Sequence, residues 1–171
     1  LDKIEIARQT IIQEKYKDQW RNLDICYIYG ATGTGKTRSV MDKYGYSNVF
    51  RVTDYSHPFD NYKGQDVVIF EEFRSSVKLS DMLNYLDGYP LELPCRYANK
   101  YACYTKVFLI SNIPLTDQYS DDRSENTSAF IRRINKVKHY TDKGIQNIQI
   151  QLIKDGFRIV AEGEVIPFEK V

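Results

Sequence analysis

The sequence predicts an α/β fold, a central parallel sheet flanked by helices and followed by a β-rich C-terminal tail. Three observations carry this. The short runs Ile25–Tyr29, Val67–Phe70 and Val107–Ile110 are continuously apolar, as strands buried on both faces are. Helical patterns stand between them, the alternation that builds parallel sheets. The first run ends at Gly30 in a glycine-rich segment that leads straight into a helix.

Taken in order, Ile4, Ala7, Ile11, Ile12, Tyr16 and Trp20 recur near a helical period, with Arg, Lys, Glu and Gln between them. This predicts an amphipathic leading helix within a segment 1–22, serving either oligomerisation or core packing. After the strand Ile25–Tyr29, Lys36–Tyr44 suits a helix and Asn48–Val52 a second strand. Asp54–Gly64 carries Pro58, Asp60-Asn61 and Gly64 and reads as loop. Val67–Phe70 is the most hydrophobic run and reads as a central strand. Ser80 is placed to cap a helix whose inner face is Met82, Leu83 and Leu86. Pro90 and Pro94 punctuate an extended stretch, and Leu91–Leu93 can pair with Tyr101–Tyr104 as a hairpin. Val107–Ile110 is another buried strand, Pro114–Asn126 a polar, acidic surface loop, and Thr127–Asn135 helical. Strands around Gly156 and Gly163 complete the tail. The core runs over 23–140, and the tail 141–171 has no assigned role.

The chain has 171 residues, 42% hydrophobic and 27% charged, which fits one ordinary globular domain. No stretch approaches the roughly 20 apolar residues of a membrane span, and no signal-peptide pattern opens it. The cysteines Cys26, Cys95 and Cys103 lack metal-ligand spacing and read as reduced thiols of an intracellular protein. A net charge of +1 neither favours nor excludes a nucleic-acid partner, so a polyanion must be met by a local patch.

Gly30-Ala31-Thr32-Gly33-Thr34-Gly35-Lys36-Thr37 has the full GxxxxGK[ST] spacing with a strand before and a helix after. The glycines let backbone N–H groups turn inward toward phosphate, and the helix adds its positive end. Lys36 would reach the β- and γ-phosphates, and Thr37 would ligate Mg²⁺. That context weighs against an accidental glycine turn. Val67–Phe70 runs into Glu71 and Glu72, placing two carboxylates at the sheet's carboxyl edge. One would hold the Mg²⁺ water shell; the other could orient or deprotonate a water. Val107–Ile110 ends in Ser111-Asn112, where an amide can sense a γ-phosphate. Of Arg132 and Arg133, one can be a solvated cation and the other an arginine finger for a neighbouring subunit.

With these pieces in order, the sequence resembles the superfamily 3 helicase domain of rolling-circle replication initiators, the Rep proteins of circoviruses and related plasmids and phages. The match rests on GATGTGKT (30–37), VVIFEEF (67–73), DMLNYLDGYPLELPCR (81–96), KVFLISN (106–112) and FIRRI (130–134). The resemblance implies a P-loop NTPase of AAA+ type, ATP with Mg²⁺, and a homo-oligomeric, hexameric ring on single-stranded DNA. By it, Lys36 and Thr37 are similar to the Walker A pair, Glu71 and Glu72 to Walker B, Asn112 to the sensor of motif C, and Arg132 or Arg133 to the finger. The hairpin around Cys95–Tyr104 resembles the element that touches DNA. Arg96 and Lys100, with Lys106 just after it, are its cations, and Tyr97, Tyr101 and Tyr104 interleave them. A solvated hairpin with tyrosines turned to the core is the competing reading.

Related Reps often carry aspartates where Glu71 and Glu72 stand. Rep initiators usually begin with a nicking domain built on a His-hydrophobe-His cluster and a tyrosine. This chain has only His57 and His139, far apart, and starts at Leu1. The expectation is therefore an ATPase domain without nicking activity, either separated from such a domain or standing alone. Localisation would be the bacterial cytoplasm for a plasmid or phage, or the host nucleus for a eukaryotic virus. An RNA helicase of the same superfamily, a P-loop nucleotide kinase and a non-hydrolysing ATP-gated scaffold are the alternatives. The acidic loop with Asp117, Asp121, Asp122 and Glu125 against Arg123 disfavours a kinase, which needs an arginine-rich lid.

Overall fold

The computed structural model describes residues 2–121, 125–154 and 156–170. Along the chain run α1 (Lys3–Tyr16), β1 (Asp24–Gly30), α2 (Lys36–Tyr44), β2 (Val49–Val52), β3 (Val67–Phe70), α3 (Leu79–Tyr85), β4 (Glu92–Leu93), β5 (Lys100–Tyr101), β6 (Lys106–Ser111), α4 (Glu125–Arg133), β7 (Lys136–Tyr140), β8 (Ile145–Ile153) and β9 (Gly156–Glu162). One sheet has the order β2-β3-β6-β1-β7-β8-β9. Its first five strands are parallel, and β8 and β9 return antiparallel, so the tail extends the same sheet.

Both faces of the parallel part are covered, which is why β1 and β3 could be read as unbroken apolar runs. On one face Cys26, Ile28, Ile69 and Ile110 meet Val40 of α2, with Met41 and Tyr44 packed alongside. On the other, Tyr27, Val68, Phe70 and Leu109 join Met82 of α3 and Phe130 of α4 in the larger core. The predicted loop Asp54–Gly64 is a loop, but it sends Phe59 and Tyr62 into that core at 0% and 1% exposure. Phe59 sits 5.1 to 6.3 Å from the rings of Phe50, Tyr62, Phe70, Tyr85 and Tyr104. Burying one such ring contributes roughly 1.5–3 kcal/mol, so this loop anchors the fold.

Three expectations need correction, and one strand escaped the sequence reading. The leading helix starts where Asp2 Oδ1 accepts from the Ile4 and Glu5 amides, but it ends at Tyr16, short of Trp20. It buries no residue, and Ile4 and Ile11 are 72% and 70% exposed. Only Ile12 and Tyr16 lean on the core. Ser80 caps nothing, because α3 begins at Leu79 with Lys78 before it and no side-chain cap. The fifth parallel strand, β7, was hidden by its charged residues Lys136 and Lys138. Tyr104 lies wholly in the core and donates its hydroxyl to the Tyr85 carbonyl at 2.6 Å, so it cannot stack on a base. The acidic loop is described to Asp121, and its Asp122 and Arg123 lie outside the described residues.

Arg21, which nothing in the sequence singled out, is 1% exposed. Its guanidinium lies 4.8 Å over the Tyr104 ring and donates to the carbonyls of Tyr104 (2.8 Å), Asp87 (3.0 Å) and Tyr89 (3.2 Å). One buried cation thus ties the segment before β1 to the α3–β4 connection. Arg21→Ala strands those carbonyls and is expected to cost about 3 kcal/mol or more in denaturant unfolding. A loss under about 1 kcal/mol would mean that water replaces the guanidinium there.

Candidate nucleotide site

The parallel register decides what meets at the carboxyl edge. β6 lies between β3 and β1, pairing Phe70 with Leu109 and Tyr29 with Ser111. Glu71, Asn112 and the Gly30–Thr37 loop therefore emerge side by side, as ligand sites do at the ends of parallel strands. They wall a cavity of about 220 Å³ with Thr32, Gly35, Glu72 and Ser111.

Gly33 and Gly35 have φ of 84° and 79°, left-handed values that carry no steric cost only for glycine. Gly35 is the N-cap of α2, and neither a capping side chain nor an acid occupies the first turn. Its leading N–H groups and positive dipole end are left for an anion. Lys36, 8% exposed, donates through Nζ to the Gly30 and Ala31 carbonyls, both at 2.8 Å. Burial lowers its pKa from the usual lysine range, and the Glu71 charge works against that.

Thr37 Oγ1 donates to Glu71 Oε1 at 2.6 Å, joining the glycine loop to the acidic strand. This hydroxyl and carboxylate are hard oxygen donors, fitting a cation such as Mg²⁺ that keeps waters and takes phosphate oxygens as further ligands. Glu71 also accepts from Arg51 of β2 at 3.1 Å, a partner the sequence reading missed because Arg51 lies twenty positions upstream. The Arg51 side chain is 46% exposed, so the pair contributes at most about 1 kcal/mol. Glu72 holds a left-handed φ of 46°, rare for a side-chain-bearing residue, and is exposed in the same cavity. Such strain gathers at functional sites. The Tyr55 hydroxyl fixes the Glu71 carbonyl at 2.6 Å, and burial pushes that phenol's pKa well above the tyrosine range.

Beneath the site lies a second feature that the sequence reading missed. Gln118, assigned to a polar loop, is 2% exposed. Its amide donates to Phe73 O (2.8 Å), Tyr27 Oη (2.9 Å) and Ser111 Oγ (3.2 Å), and its oxygen accepts from the Ser75 amide at 2.6 Å. The Tyr27 hydroxyl donates onward to the Ile113 carbonyl at 2.7 Å. Burial raises the Tyr27 pKa to about 12, so it stays a neutral donor. This network joins the residues following Glu72 to those flanking Asn112.

The remaining sequence candidates sit elsewhere. Arg132 and Arg133 end α4 just before β7, whose residue Lys136 pairs with Cys26 at the start of β1. That is the opposite edge of the sheet, about 20 Å of strand away from the glycine loop. Arg133 donates to Ala129 O at 3.0 Å, pairs with Asp87 at 3.5 Å and lines a cavity of about 340 Å³ with Trp20 and Arg21. Arg132 is exposed, and its side chain has no ion pair or hydrogen bond among the described residues. On the hairpin, β4 and β5 pair Glu92 with Tyr101 and Leu93 with Lys100. Arg96 is neutralised by Asp60 at 2.5 Å, and Lys100 donates to the Asp60 carbonyl at 2.5 Å. That acid comes from the loop before β3, so it was invisible within the hairpin sequence. Arg96 holds the Asp60 carboxyl below its usual range. Tyr97 is 91% exposed, Tyr101 is half-buried, and Lys106 lies off the hairpin at the start of β6, paired with Asp66 at 3.0 Å.

A protein-family model described as RNA helicase matches residues 26–112. The replication-associated protein of goose circovirus is 28% identical over 141 residues, 82% of this chain and 46% of that protein. That of pigeon circovirus is 30% identical over 113 residues, 66% and 34% of the two chains. That of beak and feather disease virus is 25% identical over 126 residues, 74% and 42%. The chain thus spans less than half the length of these relatives. Among the described residues no helix is long and apolar enough to cross a membrane.

Gln118→Leu removes a hub whose partners are buried, and is expected to lower stability by about 2–3 kcal/mol. Thermal unfolding checks this. An unchanged midpoint would show that the network is dispensable.

Proposed function

The chain belongs to the RNA helicase family, in the superfamily 3 form related to circovirus replication-associated proteins, and we propose that it is an ATP-driven motor acting on single-stranded DNA. The observation that carries this reading is the 2.6 Å hydrogen bond from Thr37 to Glu71. It couples a phosphate-binding loop to an acidic strand end, with Asn112 across the same cavity.

On this reading, the loop amides and the first turn of α2 cradle the phosphates, and Lys36 exchanges the Gly30 and Ala31 carbonyls for β- and γ-phosphate oxygens. Thr37 and Glu71 would hold Mg²⁺, directly or through water. Held there, such an ion would supply neutralisation of the phosphate charge. Glu72 takes a proton from water as the water oxygen bonds to the γ-phosphorus and the β–γ bridging bond breaks. Asn112 hydrogen-bonds the γ-phosphate and that water. Catalysis is then mainly placement and charge stabilisation.

Arg132 and Arg133 cannot reach their own chain's loop, so either would act on a neighbour's nucleotide. This supports a ring assembly, hexameric in the form we propose, in which each subunit completes the next. The hairpin tip, where Tyr97 is exposed with the Arg96 guanidinium 6.0 Å over its ring, would contact the strand, with Arg96 and Lys100 exchanging Asp60 for phosphate. Tyr101 and Lys106 would support the same surface. RNA is the second reading, favoured by the name of the matching family model. The circovirus relatives favour DNA.

Steady-state ATP hydrolysis against protein concentration, with single-stranded DNA or RNA added, tests the proposal. The rate per chain is expected to rise with protein and with DNA; a flat, unstimulated rate would sink the motor reading, and stimulation by RNA alone would change its substrate. Lys36→Ala should lower turnover about a hundredfold or more, whereas Glu72→Gln should stop hydrolysis and keep nucleotide binding. If Glu72→Gln turns over normally, Glu72 is not the base. Mixtures of Lys36→Ala chains with Arg132→Ala or Arg133→Ala chains should differ from both parents for one arginine. If neither mixture differs, action across a subunit boundary is excluded.

A further inference from the structure

A second cavity, of about 710 Å³, adjoins the glycine loop on the side away from the acids. Ala31–Gly35 form one wall, and His139, Tyr140, Thr141, Asp142 and Phe168 the other. Thr32, Gly33 and Gly35 line both this cavity and the one holding Glu71, Glu72 and Asn112. A triphosphate gripped by the loop with its γ end toward the acids must therefore direct its nucleoside end here. The volume lies in the usual range of small-molecule pockets, roughly 300–1,000 Å³.

The tail is fastened where it builds this wall. Ile145 and Ile166 exchange backbone hydrogen bonds, N to O at 2.9 Å and 2.8 Å. Any side chain at Gly144 would meet the Ile166 carbonyl oxygen at 2.0 Å, so a glycine lets the tail approach so closely. Phe168 is delivered beside Tyr140, ring centroids 6.0 Å apart, yet stays 40% exposed. Tyr140 is itself fixed from below by a hydrogen bond between its hydroxyl and Ser39 of α2 at 2.9 Å. The neighbouring His139 turns to the other face of the sheet, where it stacks on Tyr29 at 4.4 Å. The result is an open aromatic face on a pinned segment, at the far end of a phosphate loop.

We infer that this cavity is the nucleobase subsite and that Phe168 is its stacking platform, giving the tail after Tyr140 a part in nucleotide binding. The inference rests on the nucleotide-site reading above but goes beyond it. Every base has a π-face, so the platform adds affinity for nucleotides over bare phosphates without itself choosing among bases.

Calorimetric titration of the chain with ATP and, separately, with inorganic triphosphate tests this in the presence of Mg²⁺. Phe168→Ala should weaken ATP binding roughly tenfold, within about five- to hundredfold, and leave inorganic triphosphate unchanged. Phe168→Tyr, which keeps the ring, should retain wild-type affinity. Equal weakening of both ligands by Phe168→Ala, or none for ATP, would overturn the subsite. So would wild-type chain that binds inorganic triphosphate as tightly as ATP, although the phosphate loop would then stand. Wild-type chain binding neither ligand would overturn the nucleotide-site reading itself, and the subsite with it.

Discussion

Two parallel ladders, β3 to β6 and β6 to β1, are the constraint from which the rest follows. Their registers stop three strands at one level, and whatever residues come next must share an edge. Gly30, Glu71 and Asn112 come from distant parts of the chain and meet because the backbone hydrogen bonds leave them no alternative. The Thr37–Glu71 contact is the visible product of that alignment. Slipping one ladder by a residue would invert every side chain of the strand, exposing its core face to the wrong layer. The apolar runs that made the strands readable are thus also what fixes the site.

That explains what was legible. Strand cores and α2 are set by local composition, and the phosphate loop by local spacing, so Gly30–Thr37, Glu71–Glu72 and Asn112 could be placed on one edge before any coordinates. What could not be read depends on distant partners. Arg21 looks like any surface cation until three carbonyls surround it. Gln118 sits in a polar stretch, and only the fold shows that its amide bridges β1, β6 and the chain beyond β3. Phe59 and Tyr62 sit among turn residues yet fill the core. The leading helix misled in the other direction. Its apolar period promised an inward face, but the rest of the chain offers it only Ile12 and Tyr16 as points of attachment.

The two edges of the sheet have different characters. The carboxyl edge holds glycine backbone, paired acids and a left-handed Glu72. The amino edge gathers Arg21, Arg133 and Lys106. Their mutual distance, a strand's length, means that a charge placed at one end acts at the other only through a second molecule. On the proposed reading, a single chain would carry two halves of a site facing opposite ways. Such halves would suit a heterologous, head-to-tail interface, a kind that closes into a ring when the rotation between neighbours permits.

Trp20 is the chain's single tryptophan. It is 54% exposed, lies edge-on to Tyr89 at 4.9 Å, and borders the same cavity as Arg133. All of the indole emission therefore originates at the amino edge, far from the glycine loop. The molecule has a built-in optical label at the face where a neighbour would dock, and none at the loop where phosphate would bind. A spectral shift would report contact between chains, with little direct contribution from the ligand.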